Sequence, residues 1–419
     1  MQDHRVYFVI DMKSFFASVE CAERGIDPMT NNLVVADVER SNTTICLAVS
    51  PAMKNLGVKN RCRLYEIPKD IEYIIAKPRM KKYIEYSANI YSIYLKYIDK
   101  RDIHVYSIDE CIIDVTDYLK IYHLRAKEFA KLLMSEIYNT LHIPSTTGIG
   151  SNIYLAKIAL DITAKHSLDR IGWLTEEKFM QELWHHRPLT DFWGISTGIS
   201  ERLARFSIYD MYGIAKADEN LLYEEFGVNA ELLIDHAWGR ETCLMEDIKN
   251  YKGKSKSFSN SQILPCNYSY EQAKIVVQEM IQDGCYRLAR EHMSTRLLHI
   301  YLGFGDDRSN AKGSIRMSET TNLYSIISGY VERLFDQVYH DKTKPVRKIG
   351  YDFDSLVNEN NEQYDLFTDN RKIDKEKKLV HSIINIQQKF GKNSLLKGID
   401  LKESATQKDR NKMIGGHSG

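Results

Sequence analysis

Two short apolar runs in this chain end in acid. One is Tyr7-Phe8-Val9-Ile10-Asp11-Met12, and the other is Val105-Tyr106-Ser107-Ile108-Asp109-Glu110. Runs rich in β-branched and aromatic residues read as buried strands. A carboxylate at the end of such a strand is costly to desolvate unless a cation or a partner meets it. Three acids brought together from two strands would suit a pair of divalent ions and phosphoryl chemistry. Taken alone, Asp109-Glu110 reads better as the polar turn of a hairpin. Neighbours in a regular strand face opposite ways, so both acids reach one ion only from a bend. Oxygen donors without His or Cys favour Mg²⁺.

The 419 residues predict roughly two to four domains rather than one core. Basic and acidic residues balance at 57 each, so a nucleic-acid ligand would need locally clustered charge. Seven scattered cysteines without a CxxC spacing read as reduced thiols and not as a zinc site. No apolar stretch reaches membrane-spanning length and the N-terminus lacks a signal-peptide pattern, which predicts a cytoplasmic protein with no membrane partner.

Along the chain, residues 5–10 predict a strand and Ser14–Glu23 a helix. Leu33–Val38 and Thr43–Val49 read as two strands. A short helix follows, with Ser50 as N-cap, Pro51 at its first position and Gly57 as left-handed C-cap. Arg79–Ile98 is a tyrosine-rich helix, read as packing between helix and sheet. His104–Thr116 is a hairpin and Leu124–Tyr138 a helix. The strand Ser145–Ile149 turns at Gly148-Ile149-Gly150 into a helix over Asn152–Ala164. Short helices fill residues 175–240, and residues 243–256 read as a polar linker. The order βαββαβ over 257–354 marks a separate domain of the ferredoxin-like split type. Residues 355–419 read as a flexible polar tail with one amphipathic stretch, Leu379–Phe390.

Asp11-Met12-x-x-Phe15-Phe16-Ala17-Ser18-Val19-Glu20, then Ser107-Ile108-Asp109-Glu110, then Gly148-Ile149-Gly150 leading to Leu155-Ala156-Lys157 and Ala164-Lys165, resembles the Y-family translesion DNA polymerases. Within them it is most similar to the UmuC branch, which includes UvrX-like proteins of Gram-positive bacteria and their phages. The resemblance spans residues 5–355. It implies an α+β right-hand polymerase: a ferredoxin-like palm (1–24 and 76–170), small fingers (25–75), a helical thumb (171–242) and the βαββαβ little finger (257–354). It implies low-fidelity, template-directed synthesis past damaged bases, in the setting of SOS repair. Asp11, Asp109, Glu110 and the Met12 carbonyl would bind two Mg²⁺ ions. Phe16 falls at the steric-gate position against ribonucleotides, although alone it reads as a core phenylalanine. Phe15 would pack under the nucleotide or belong to the core. Lys54 and Lys165 would contact the dNTP triphosphate; alone they read as solvated lysines. Two residues depart from the pattern: Pro51 stands where many relatives carry tyrosine, and Lys13 where Asp or Asn is common.

Trp193-Gly194-Ile195-Ser196-Thr197-Gly198 resembles the thumb's helix-hairpin-helix, with Ser196 in place of the usual second glycine. Lys252, Lys254, Lys256, Arg296, Lys312, Arg316, Arg347 and Lys348 would offer charge to primer-template DNA from the little finger. Gln363-Tyr364-Asp365-Leu366-Phe367 resembles a sliding-clamp-binding peptide, anchored by Gln363, Leu366 and Phe367; an accessory mutagenesis protein is a further partner of this branch. His185-His186 reads as a surface pair. The alternatives are a nucleotidyl cyclase-like palm enzyme and a non-catalytic DNA- or clamp-binding scaffold. The thumb, the extra domain and the clamp-like peptide count against the first, and the intact acid set against the second.

Overall fold

The computed structural model describes residues 5–38, 44–253, 257–361 and 369–418. The chain forms two compact units, Met1–Tyr251 and Lys252–Gly419.

The first unit opens with β1 (Tyr7–Met12) and α1 (Phe15–Ala22). A small subdomain follows, made of β2 (Leu33–Val35), β3 (Ala48–Val49), α2 (Pro51–Asn55) and β4 (Ile74–Ala76), with sheet order β3-β2-β4. Ser50 caps α2 through Met53 N–H, Pro51 takes the first position, and Gly57 sits at φ +85°, as the residue pattern predicts. The paired strands here are shorter than the sequence reading, and the polar turn expected between them, Glu39–Asn42, falls in residues 39–43, which lie outside the described residues.

Next come α3 (Met80–Tyr94), β5 (Ile103–Val105), β6 (Glu110–Asp114), α4 (Thr116–Ile121), α5 (Ala126–Leu141), β7 (Ser145–Gly150), α6 (Ile153–Ile158) and β8 (Ile171–Leu174). The sheet order is β5-β6-β1-β7-β8, so the apolar β1 lies at its centre between antiparallel β6 and β7. Gly148 and Gly150 let α6 lie directly on β7. A Cβ at Gly148 would come 2.1 Å from Ala156 O, and one at Gly150 would come 2.1 Å from Ala156 N. The helix continues through a widened π-turn, Ala159–Thr163, a distortion frequent at functional sites.

Helices α7 (Glu176–Glu182), α8 (Thr197–Ala204), α9 (Met211–Lys216), α10 (Glu219–Phe226) and α11 (Asn229–Ala237) close around Phe179, Phe192, Leu203, Met211 and Leu222. Within the segment expected as a linker, 243–256, the structure forms α12 (Met245–Asn250), and the two units divide just after it. Met245 is buried against Tyr7, Val9 and Ile112, and Ile248 packs beside it. These two apolar residues one helical turn apart outweigh the polar average of the segment.

The second unit is β9 (Phe258–Tyr268), α13 (Tyr270–Arg290), β10 (Met293–Phe304), β11 (Asn310–Thr321), α14 (Tyr324–Val338) and β12 (Val346–Asp354), in sheet order β11-β10-β12-β9. Leu298, Ile300 and Leu302 face the helices. The alternate residues of β10 pair with Lys312, Arg316 and Lys348 on the open face. The expectation of a flexible tail is corrected here. α15 (Asn370–Phe390) buries Ile373 and Ile384, and α16 (Gln407–Arg410) docks on α13. Glu279, 1% exposed, accepts from Thr406 N–H at 2.8 Å and Gln407 N–H at 3.0 Å, a buried anchor that composition does not reveal. Among the described residues no helix is long and apolar enough to cross a membrane.

Candidate active site

The three acids converge. Asp11 on β1 pairs in register with Glu110 on β6, and Met12 N–H donates to Asp109 O at 2.9 Å, which pins the bend before β6. The bend lets adjacent Asp109 and Glu110 serve one place, the condition set by strand geometry. Ser107 Oγ donates to Asp109 Oδ1 at 2.6 Å. Lys157 on α6 reaches Glu110 Oε2 at 2.8 Å and Asp161 at 3.2 Å. Glu110 and Lys157 are each 8% exposed.

One ammonium does not neutralise this set. Burial, then repulsion from Asp109 and Glu110, pushes Asp11 up to about 8 against the pull of Lys157. Burial raises Glu110 as well, despite its ion pair. Glu110 Oε1 is shielded from solvent and has no hydrogen-bond partner. An orphaned carboxylate oxygen beside two further carboxylates fits a hard divalent cation, which bare packing would not supply. Among the described residues, the group whose ligand atoms all lie within 4.8 Å of one another is His299, Asp352 and Asp354 in the second unit; Asp11, Asp109 and Glu110 are neighbours without closing to that distance.

Lys54 at the end of α2 and Lys165 beyond the π-turn also come to this place. Lys54 is depressed by partial burial and by repulsion from Lys13 and Lys165, with Asp11 opposing. Lys13 is depressed by burial and by Arg170. None of these four cations has a carboxylate within ion-pair distance among the described residues. The sequence reading treated Lys13 only as a departure from pattern, yet it adds to the same positive surface.

Phe15 is 3% exposed and belongs to the core. Phe16 is partly exposed and stacks on Tyr83, with ring centroids 4.5 Å apart and planes at 18°. Tyr83 therefore does not serve only helix-to-sheet packing, as the tyrosine-rich helix was read. Its hydroxyl donates to Glu20 Oε1 at 2.9 Å. Glu20, fully buried, also takes two N–H bonds from Arg79 and one from Arg24. Burial alone would raise Glu20; these bonds outweigh it and hold the carboxylate below its ordinary range. Tyr94 is buried too, within the field of Asp11. Sequence reasoning names Lys157 within its motif and gives it no role, although a lysine on an otherwise apolar helix after two close-approach glycines was the available signal.

In the helical subdomain Gly194 sits at φ +91°, and Ser196 caps α8 by accepting from Ile199 N–H at 3.4 Å. The serine thus takes the helix start where a glycine was usual. His185 and His186 lie against separate carboxylates, Asp210 at 3.3 Å and Asp191 at 2.9 Å. Arg296 is turned onto the Met317 and Ser318 carbonyls. Gln363–Phe367, with Lys254 and Lys256, lie outside the described residues.

An acid-bearing central sheet, a small subdomain, a helical subdomain and a βαββαβ unit make up the architecture of a right-hand polymerase. The impB/mucB/samB family matches residues 10–161, and its C-terminal domain matches residues 255–366. A Bacillus subtilis protein named as UV-damage repair protein UvrX is 32% identical over 97% of this chain and 96% of its own length. Another from Bacillus subtilis, named DNA polymerase IV 2, is 29% identical over the whole of both chains. A solved Y-family DNA polymerase chimera is similar with a TM-score of 0.65 at 21% identity, covering 84% of this chain and 99% of that one. The chain belongs to the impB/mucB/samB family, the UmuC-like Y-family polymerases.

A divalent metal held here would take the ionised carboxylate, so its binding would displace the proton that the raised Asp11 keeps at neutral pH. In calorimetry with Mn²⁺, using buffers of different ionisation heat, proton release should accompany binding. The affinity should climb as pH rises toward about 8 and level off above it. Without metal the same shift makes the fold less stable over that rise, because the unfolded chain gives up this proton first. Binding without proton release would contradict the raised Asp11.

Proposed function

We propose that the chain is a DNA-directed DNA polymerase that extends primers past damaged bases by divalent-metal-dependent transfer of a deoxynucleotide, with Mg²⁺ as the working ion. The observation that carries this is the convergence of Asp11, Asp109 and Glu110 with one Glu110 oxygen left unpartnered. Relatives named for DNA polymerase and UV-damage repair support it. The parts act as palm (1–24 and 76–170), fingers (25–75), thumb (171–242) and little finger (257–354).

In this reading the three acids and the Met12 carbonyl hold two ions. When bound, the ions would lower the pKa of the primer 3′-hydroxyl and neutralise charge on the leaving pyrophosphate. Ser107 fixes the Asp109 rotamer, and Lys157 holds one oxygen of Glu110 so that the other is presented. Lys54, Lys165 and Lys13 receive the triphosphate; as lysines they act as point charges and not as bidentate forks. Phe16 fills the space of a ribose 2′-hydroxyl, and its stacking on Tyr83 keeps it there. Among the described residues the fingers are built on a three-stranded sheet of short strands, the five-residue α2 and one helical turn at Leu64–Glu66, so the nascent pair is loosely enclosed and shape discrimination is weak.

Lys312, Arg316 and Lys348 offer the open face of the little finger to DNA phosphates. Gln363, Leu366 and Phe367 anchor a sliding clamp, an accessory mutagenesis protein is a further partner, and the compartment is the cytoplasm.

Extension of a primed template opposite normal and damaged bases tests the reading. Asp109→Ala should abolish synthesis while DNA binding survives, and substantial residual synthesis would refute the metal role. Phe16→Ala should admit ribonucleotides; unchanged sugar selectivity rejects the gate. Deleting 363–367 should remove stimulation by the clamp and leave basal synthesis intact. Equal loss of both would mean that the segment serves the fold.

A further inference from the structure

The thumb touches the catalytic hairpin at one aromatic pair. Trp193 Nε1 donates to Tyr106 Oη at 3.2 Å, and the rings meet edge to face with centroids 6.1 Å apart at 81°. Trp193 packs on the thumb core and directly precedes Gly194, the left-handed turn into the Ser196-capped α8. Tyr106 is 45% exposed, so burial does not explain its place; the core does not need this ring.

Tyr106 is tied to both neighbouring acids. Its N–H and that of Ser107 donate to Glu110 O at 3.0 and 3.1 Å, closing the bend that carries Asp109. The adjacent Ser107 hydroxyl holds Asp109. The Lys157 ammonium that pairs with Glu110 stands 5.8 Å from the Tyr106 ring centroid, within the range of cation–π attraction. One tyrosine thus connects the thumb loop to the supports of two carboxylates.

We propose that Trp193 and Tyr106 are positioning residues, which couple placement of the thumb to the geometry of the metal-binding acids. A thumb drawn onto primer-template DNA would carry Trp193 with it, and the hairpin would be held in its metal-competent form while the strand is engaged. The contact is partly exposed and made of one neutral hydrogen bond and one ring edge, so it is weak enough to reset between binding events. The inference rests on the assignment of Asp109 and Glu110 to metal.

The test uses the full chain with primed DNA and three variants: Trp193→Phe, which keeps a ring and deletes the N–H; Tyr106→Phe, which deletes the acceptor; and the double variant. Each single change should raise the Mn²⁺ concentration for half-maximal single-turnover extension about three- to tenfold. The double variant should be no worse than the poorer single. Mn²⁺ binding without dNTP, followed by electron paramagnetic resonance, should weaken in parallel, whereas the melting temperature and KM for dNTP stay unchanged. Additive losses, or an unaltered metal requirement, would overturn the coupling. Asp109→Ala run alongside separates the two ideas: if it is inactive while the aromatic variants behave as wild type, only the coupling fails; if it remains active, the metal assignment fails.

Discussion

Everything in the first unit is arranged around mutual repulsion among three carboxylates at the end of β1. Neighbouring like charges repel by up to several kcal/mol in a partly dry setting, about 4 for a pair roughly 4 Å apart at an effective dielectric near 20. The fold tolerates this by keeping a proton on Asp11 and by spending one lysine, Lys157, on Glu110. Neither device satisfies Glu110 Oε1. A site left this short of positive charge is incomplete as a piece of packing, and the proposed metal ions would supply what it lacks.

The sheet delivers that geometry through backbone contacts. β1 lies between two antiparallel neighbours, so the position of Asp11 is fixed on both sides by ladder hydrogen bonds. α6 approaches β7 so closely that only glycine fits at 148 and 150, and this brings Lys157 down to the acids from a rigid element. The same logic holds Phe16. Its ring rests on Tyr83, which rests on a fully buried Glu20, which is held in turn by Arg79 from the start of α3. Removing one member of such a buried ionic set costs more than the pair contributes, because a desolvated charge is left behind.

Much of this was legible in the residues. The strand that carries Asp11, the hairpin whose bend carries Asp109-Glu110, the capping of α2 by Ser50 and Pro51, and the βαββαβ order follow from periodicity and local chemistry, whereas the run Val105–Ile108, read as a buried strand, is the exposed end of β5 and the bend itself. Phe15 was ambiguous because a helix start at a cleft has one face in the core and one outside; the structure turns Phe15 inward and leaves Phe16 partly exposed. The failures share a cause. α12 and the docked tail are polar on average, and their folding depends on a few residues, Met245 in one and the Glu279 contacts in the other. Composition averages over such anchors. The roles of Lys157 and Tyr83 escaped because their partners, Glu110 and Glu20, are 47 and 63 residues away in sequence.

The central claim is that Asp11, Asp109 and Glu110 share ions. Anomalous diffraction from crystals grown with Mn²⁺, primed DNA and a non-hydrolysable dNTP measures this directly. The account requires two manganese peaks among these carboxylates, with Glu110 Oε1 as a ligand and Lys157 still on Oε2. Density confined to other acids, such as Asp352 and Asp354 with His299, and none beside Asp11 would contradict it.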